Sequence, residues 1–166
     1  MSREEFWRWN IETKAYHWYG KYKYSDKLHN DLLAMDSFTK NNNIKLTFII
    51  VPHNREFHNW LVEFGLSKDE NNFKTIMANL NATVIDYDYE NVITTNKNNF
   101  SDPLHYNYKV GHLIVNEVFK DSLIIGRKLK KKRYNWEVTI QGFLANKSVG
   151  FLVIIPAKVS HCSGVK

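Results

Sequence analysis

The residues best suited to chemistry in this chain stand together in Ser101-Asp102-Pro103-Leu104-His105-Tyr106. An aspartate and a histidine three positions apart in a turn can face one another. The carboxylate then accepts a hydrogen bond from Nδ1–H of His105, which fixes the tautomer and leaves Nε2 as a base. A serine nucleophile needs such a pair, because a hydroxyl is a poor nucleophile at its own pKa. The same spacing also suits a plain Asp-Pro turn beside a bystander histidine.

Other chemistry-bearing residues point less far. His53 and His58 are five apart around a helix start, a spacing that does not put both on one helix face. No carboxylate in the surrounding sequence completes a ligand set, so no metal site and no cofactor is expected. His112 reads as a surface or half-buried helix residue. Cys162 is the single cysteine, which excludes an internal disulfide and a cysteine-cluster zinc site. Its neighbour His161 lies with it in a tail without fixed geometry, so no catalytic role is expected there.

The elements that must position Asp102 and His105 follow from periodicity. Ser25 reads as an N-cap before Leu28, Leu32, Met35 and Phe38, an amphipathic helix that ends at Asn41-Asn42-Asn43. From Ile44 to Val51 nearly every residue is apolar or β-branched, as in a strand buried on both faces of a parallel sheet. Pro52 stops it. A short helix runs from about Arg55 to Phe64, closed by Gly65. Ser67 and Glu70 read as a capping box for a helix carrying Phe73, Ile76, Met77 and Leu80. Ala82 to Tyr89 reads as a second strand and residues 90–101 as a polar loop. Asn107 begins a last helix, with Val110, Leu113, Ile114 and Val118 on one face. This alternation predicts an α/β fold. Ligands in such folds sit at the carboxyl ends of the strands, here Pro52-His53-Asn54 and the loop leading to Asp102.

Composition bounds the rest. At 166 residues and 43% hydrophobic, the chain has the size of one domain and enough apolar material for a core. The net charge of +6 is uneven: residues 1–119 hold 13 Lys/Arg against 15 Asp/Glu, and residues 120–166 hold 10 against 2. The basic character therefore belongs to the tail, and nucleic acid is not the expected partner of the larger part. The run from Arg127 to Arg133 suits a solvated extension or weak contact with an anionic surface. Beyond it, two β-rich runs around Asn146-Lys147-Ser148 can form a hairpin, and VGFLVIIPA would be aggregation-prone if left exposed. Residues 1–24 are rich in Trp and Tyr, suited to packing on a neighbouring surface or to stacking on bases or sugars. No apolar run reaches the ~20 residues that span a bilayer, and no signal-like core opens the chain. As written, a cytoplasmic location is expected.

The stretch from about Asp31 to Leu129 resembles the C-terminal part of SGNH/GDSL-type hydrolases, in particular the branch of bacterial cell-envelope O-acyltransferases and esterases. The residues that carry the likeness are IKLTFIIVPHN, TVIDYDY and SDPLHYNYKVGHLIVNEVF. The resemblance implies that Asp102 is the orienting acid, His105 the general base and the helix with Gly111 the closing helix. Asn54 falls near the asparagine that serves as an oxyanion donor, without its Gly-x-Asn context. The Gly-Asp-Ser block that bears the nucleophile has no counterpart here.

The expected fold is therefore α/β: a partial three-layer parallel sheet flanked by helices, SGNH-like and incomplete, with a basic C-terminal extension. Its divisions are an aromatic segment 1–24, the SGNH-like part 25–126 and the extension 127–166. The expected function is a remnant of a serine-type ester hydrolase or O-acyltransferase, inert alone, from a truncated or split reading frame. The substrate the resemblance implies is an ester or acylated carbohydrate, with an upstream polypeptide supplying the serine and the cell envelope as the relatives' location. A non-catalytic binding module is the alternative, with its aromatic N-terminus on carbohydrate or protein and its basic tail on an anionic surface.

Overall fold

The apolar run after Asn43 becomes β1 (Lys45–Val51), and the rest of the chain is arranged around it. The structure, a computed structural model, describes residues 1–131 and the strand at 150–156. Two strands flank β1 in parallel, β2 (Thr83–Asp86) on one side and β6 (Gly150–Pro156) on the other. A short β5 (Arg127–Lys128) pairs antiparallel with β2, giving the order β5-β2-β1-β6. The fold is thus mixed α/β, with a parallel pairing at its centre. β2 is shorter than the run Ala82–Tyr89 suggests, ending at Asp86.

Side chains from the two faces of β1 enter different apolar clusters, as strand alternation requires. Ile49 and Val51 pack with Trp7, Ile11, Val110 and Ile114. Leu46, Phe48 and Ile50 pack with Met77, Leu80 and Val84, and with the partly buried Leu32 and Phe73.

The N-terminal aromatic segment is a helix, α1 (Arg3–Tyr19), opened by a capping box between Ser2 and Glu5. Trp7, Ile11, Ala15 and Tyr19, each four residues from the next, form its buried stripe. Packing rather than stacking therefore accounts for Trp7 and Tyr19. Trp9 and Tyr16, by contrast, are exposed at 49% and 70%. Aromatic residues on the outer faces hide the stripe in the sequence.

Helix α2 (Asp26–Asn41) starts at Ser25 as expected, its hydroxyl accepting from the Leu28 amide. Its buried face is rotated from the expected one. Met35 and Phe38 are exposed, while Asp36 and Thr39 are buried. Asp36 turns inward because its carboxylate accepts from the amides of Asn81 and Ala82 and from Asn81 Nδ2 at the entry to β2.

Helix α3 (Arg55–Glu63) is capped by Asn54 and followed by Gly65 at φ 71°, a left-handed conformation that suits glycine. In α4 (Ser67–Asn79) the expected capping box is absent: Ser67 is already helical and Leu66 takes the cap position without a side-chain bond. The Glu70 amide is taken by the carbonyl of Leu66, and the Leu66 amide by that of Leu61. The amide expected to donate to Ser67 is thus already engaged within α4.

Residues 90–101 are less loop-like than expected. They end in a 3₁₀ turn (Lys97–Asn99) and in β3 (Phe100–Asp102), which pairs antiparallel with β4 (His105–Tyr106). Helix α5 (Tyr108–Phe119) begins after Asn107, whose side chain accepts from the amides of Lys109 and Val110. His112 lies exposed on it.

Two parts of the C-terminal segment thus join the sheet as β5 and β6. The first run of the expected hairpin, its turn at Asn146–Ser148, and His161 and Cys162 lie outside the described residues. Among the described residues, no helix is long and apolar enough to cross a membrane.

Candidate functional site

Asp102 closes β3 and His105 opens β4, so the two face each other across a tight turn. His105 Nδ1 lies 2.7 Å from Oδ2 of Asp102 and 2.9 Å from Oδ1. The backbone fixes the carboxylate independently: its Oδ1 accepts from the amides of Leu104 at 2.8 Å and His105 at 3.0 Å. An ionised carboxylate only accepts hydrogen bonds, so a neutral imidazole held in this position keeps its proton on Nδ1 and its lone pair on Nε2. The His105 side chain is 73% exposed and that of Asp102 20%. Among the described residues, Nε2 of His105 has no hydrogen-bond partner and no serine hydroxyl reaches it.

Two contacts hold this turn at the carboxyl end of β1. The Asn54 amide donates to the carbonyl of Pro103 at 3.0 Å. Leu104 packs on the cluster of Ala15, Tyr19, Phe57 and Leu61, which joins α1 to α3.

Asn54 itself is buried at 2% exposure. Its Oδ1 accepts from the Glu56 amide and its Nδ2 donates to the carbonyl of Thr94. Both ends of the side-chain amide are therefore engaged, and Asn54 stands as a helix cap and an anchor of the neighbouring loops.

A second group of polar residues lies at the ends of β1 and β2, and sequence spacing gives little sign of it. The buried Asp88 carboxylate accepts from the His53 amide at 2.9 Å and lies 3.2 Å from His53 Nδ1. Burial works most strongly against its ionisation. The charge and hydrogen bonds of His53 and the charge of Lys74 outweigh that and hold Asp88 below the usual carboxylate range. Asp86, fully buried, accepts twice from Arg127 at 2.7 and 3.0 Å and lies 3.2 Å from Lys74 Nζ. Lys74 also donates to the main-chain carbonyl of Asp88. His58 Nε2 lies 3.6 Å from Glu70 Oε2. Burial pushes the His58 imidazole below its ordinary value, against the nearby charge of Glu70.

Sequence spacing offers no carboxylate to complete a set with His53 and His58, whereas helix packing brings Glu70 and Asp88 to His58, one donor atom of each within 4.8 Å of the others. The first residues of the basic run are also accounted for within the fold, Arg127 on Asp86 and Lys128 on Asp121.

Comparison with known proteins adds no relative: no family model, no curated protein and no solved structure matches this chain.

Proposed function

We propose that this chain carries the acid–base half of a serine-type acyl-transfer site, in a three-layer SGNH-like domain. Asp102 holds the imidazole of His105, and Nε2 is the general base. In the complete site a serine Oγ attacks an ester carbonyl while Nε2 takes its proton. The proton then passes to the departing alkoxide as the tetrahedral intermediate collapses to an acyl-serine. Water or a sugar hydroxyl accepts the acyl group in the second half, again deprotonated by His105. The serine and the oxyanion donors must be brought to Nε2 from outside the residues that surround it here. The chain alone is therefore inert in this reading.

The observation that carries the reading is the 2.7 Å contact between Asp102 and His105, in a turn fastened to the end of a parallel strand. The test has two parts on the purified chain. A fluorophosphonate probe should label no serine, and ¹⁵N-edited NMR should place the His105 ring proton on Nδ1. Labelling of a serine would replace the half-site with a complete triad. A ring proton fixed on Nε2 would remove the base.

A further inference from the structure

We propose that His58, Glu70 and Asp88 form a binding site for a divalent cation of the zinc class. The three come from α3, from the first turn of α4 and from the segment just after β2, and one donor atom of each lies within 4.8 Å of the others. The proposal is independent of the role given to Asp102 and His105.

The distances suit one ion. His58 Nε2 and Glu70 Oε2 are 3.6 Å apart. Ligands at the usual zinc bond lengths stand about 3.4 Å apart around a tetrahedron and about 4.2 Å across an ion. No separation in the set is more than 4.8 Å, so binding would ask the side chains to draw together by at most roughly half an ångström.

The surroundings suit one as well. The side chains of His58 and Glu70 are each 12% exposed, and Asp88 is 3% exposed. Glu70 Oε1 is buried and, among the described residues, accepts no hydrogen bond. Its charge is met by the Lys74 ammonium at 3.4 Å without a hydrogen bond of good geometry, so an ion held by the other oxygen, Oε2, would compete with that ammonium for the carboxylate. Asp88 is already oriented by two contacts from His53, the kind of support that metal-binding carboxylates use.

Asp86, Asp88 and Glu70 are three carboxylates, with Lys74 and Arg127 as permanent cations on them and His53 on Asp88 as a third when protonated. With His53 neutral the group carries one net negative charge, which a metal ion would meet. The Lys74 ammonium, 3.4 Å from Glu70 Oε1, is the natural rival of a metal ion. One imidazole nitrogen with two carboxylates is a mixed donor set that favours Zn²⁺ over Mg²⁺ or Ca²⁺, which prefer oxygen alone.

The test is calorimetric titration of the full chain with Zn²⁺, in a background carrying His161→Ala and Cys162→Ser to remove a rival imidazole and thiol. One saturating site is expected, with Mg²⁺ and Ca²⁺ binding more weakly. His58→Ala and Glu70→Gln should each weaken Zn²⁺ by at least the ~10–100-fold that loss of a merely orienting residue costs. Lys74→Met should tighten it. No saturable binding, or binding that neither His58→Ala nor Glu70→Gln changes, would overturn the proposal. Should these variants not fold, NMR of the parent decides: Zn²⁺ shifting the His58 ring first supports the site, and shifting His17 or His29 first refutes it.

Discussion

The amide of Asn54 donates to the carbonyl of Pro103 at 3.0 Å, which ties the turn between Asp102 and His105 to the segment that follows β1. The same asparagine caps α3 and donates to Thr94. A residue beside the candidate base thus acts on it through the backbone, while its side chain is spent on the neighbouring loops.

Asn54→Ala should therefore cost stability and loosen the turn together. Loss of a helix cap and of a buried bond to Thr94 should lower unfolding stability by about 1–3 kcal/mol. Urea denaturation gives the cost. Faster hydrogen exchange at Leu104 and His105 in the same variant reports the turn, and unchanged exchange would count against the coupling.

Asp102→Asn should separate the fold of the turn from the state of the ring. An asparagine oxygen in the place of Oδ1 can still accept from the amides of Leu104 and His105, but the NH₂ in the place of Oδ2 cannot accept from Nδ1–H, so the shorter contact and the negative charge beside the ring are lost. The urea midpoint should change little, as for an exposed pair. The His105 ring resonances should move toward those of an unrestrained histidine. Ring signals identical to the parent's would show that the carboxylate does not set the tautomer.

Tyr87 predicts an alkaline limit to stability. Its hydroxyl donates to Glu117, and burial together with that carboxylate raises it well above the ordinary value of 10.0. The folded state then holds this proton more tightly than the unfolded state. The stabilisation is fully present below pH 10 and is lost as pH rises beyond it. Urea midpoints should fall between about pH 9.5 and 11, less steeply in Tyr87→Phe.

Trp7 joins α1 to the rest of the core. Its ring is 2% exposed, and its Nε1 donates to Glu56 at 2.7 Å. Lys97 Nζ covers the ring at 4.6 Å from its centroid. Trp7→Ala should cost about 3–5 kcal/mol in urea unfolding. Trp9→Ala, on the exposed face of the same helix, should cost far less.

Where a local rule has no competitor, the structure follows the sequence. Ser25 and Asn107 cap their helices, Gly65 takes the left-handed turn, and Ile44 to Val51 supply the central strand. Rules fail where a distant partner outbids the local one. Asp36 points inward because the start of β2 offers it three donors. Ser67 caps nothing because it already lies inside α4, where the Glu70 amide is taken by the carbonyl of Leu66. Helix α1 is hidden because its buried stripe is embedded among exposed aromatics.

The sequence by itself determined an α/β alternation, a strand buried on both faces and an aspartate able to reach the histidine three residues on. These are local matters, decided by side-chain type, capping chemistry and periods of two and 3.6 residues. Only the tertiary structure decided that this turn is fastened beyond the end of β1 through Pro103 and against α1 and α3 through Leu104. It alone drew His58, Glu70 and Asp88 together from three separate elements. No spacing rule relates such residues, because their meeting depends on how helices pack over a sheet, and that packing is set by the whole core at once.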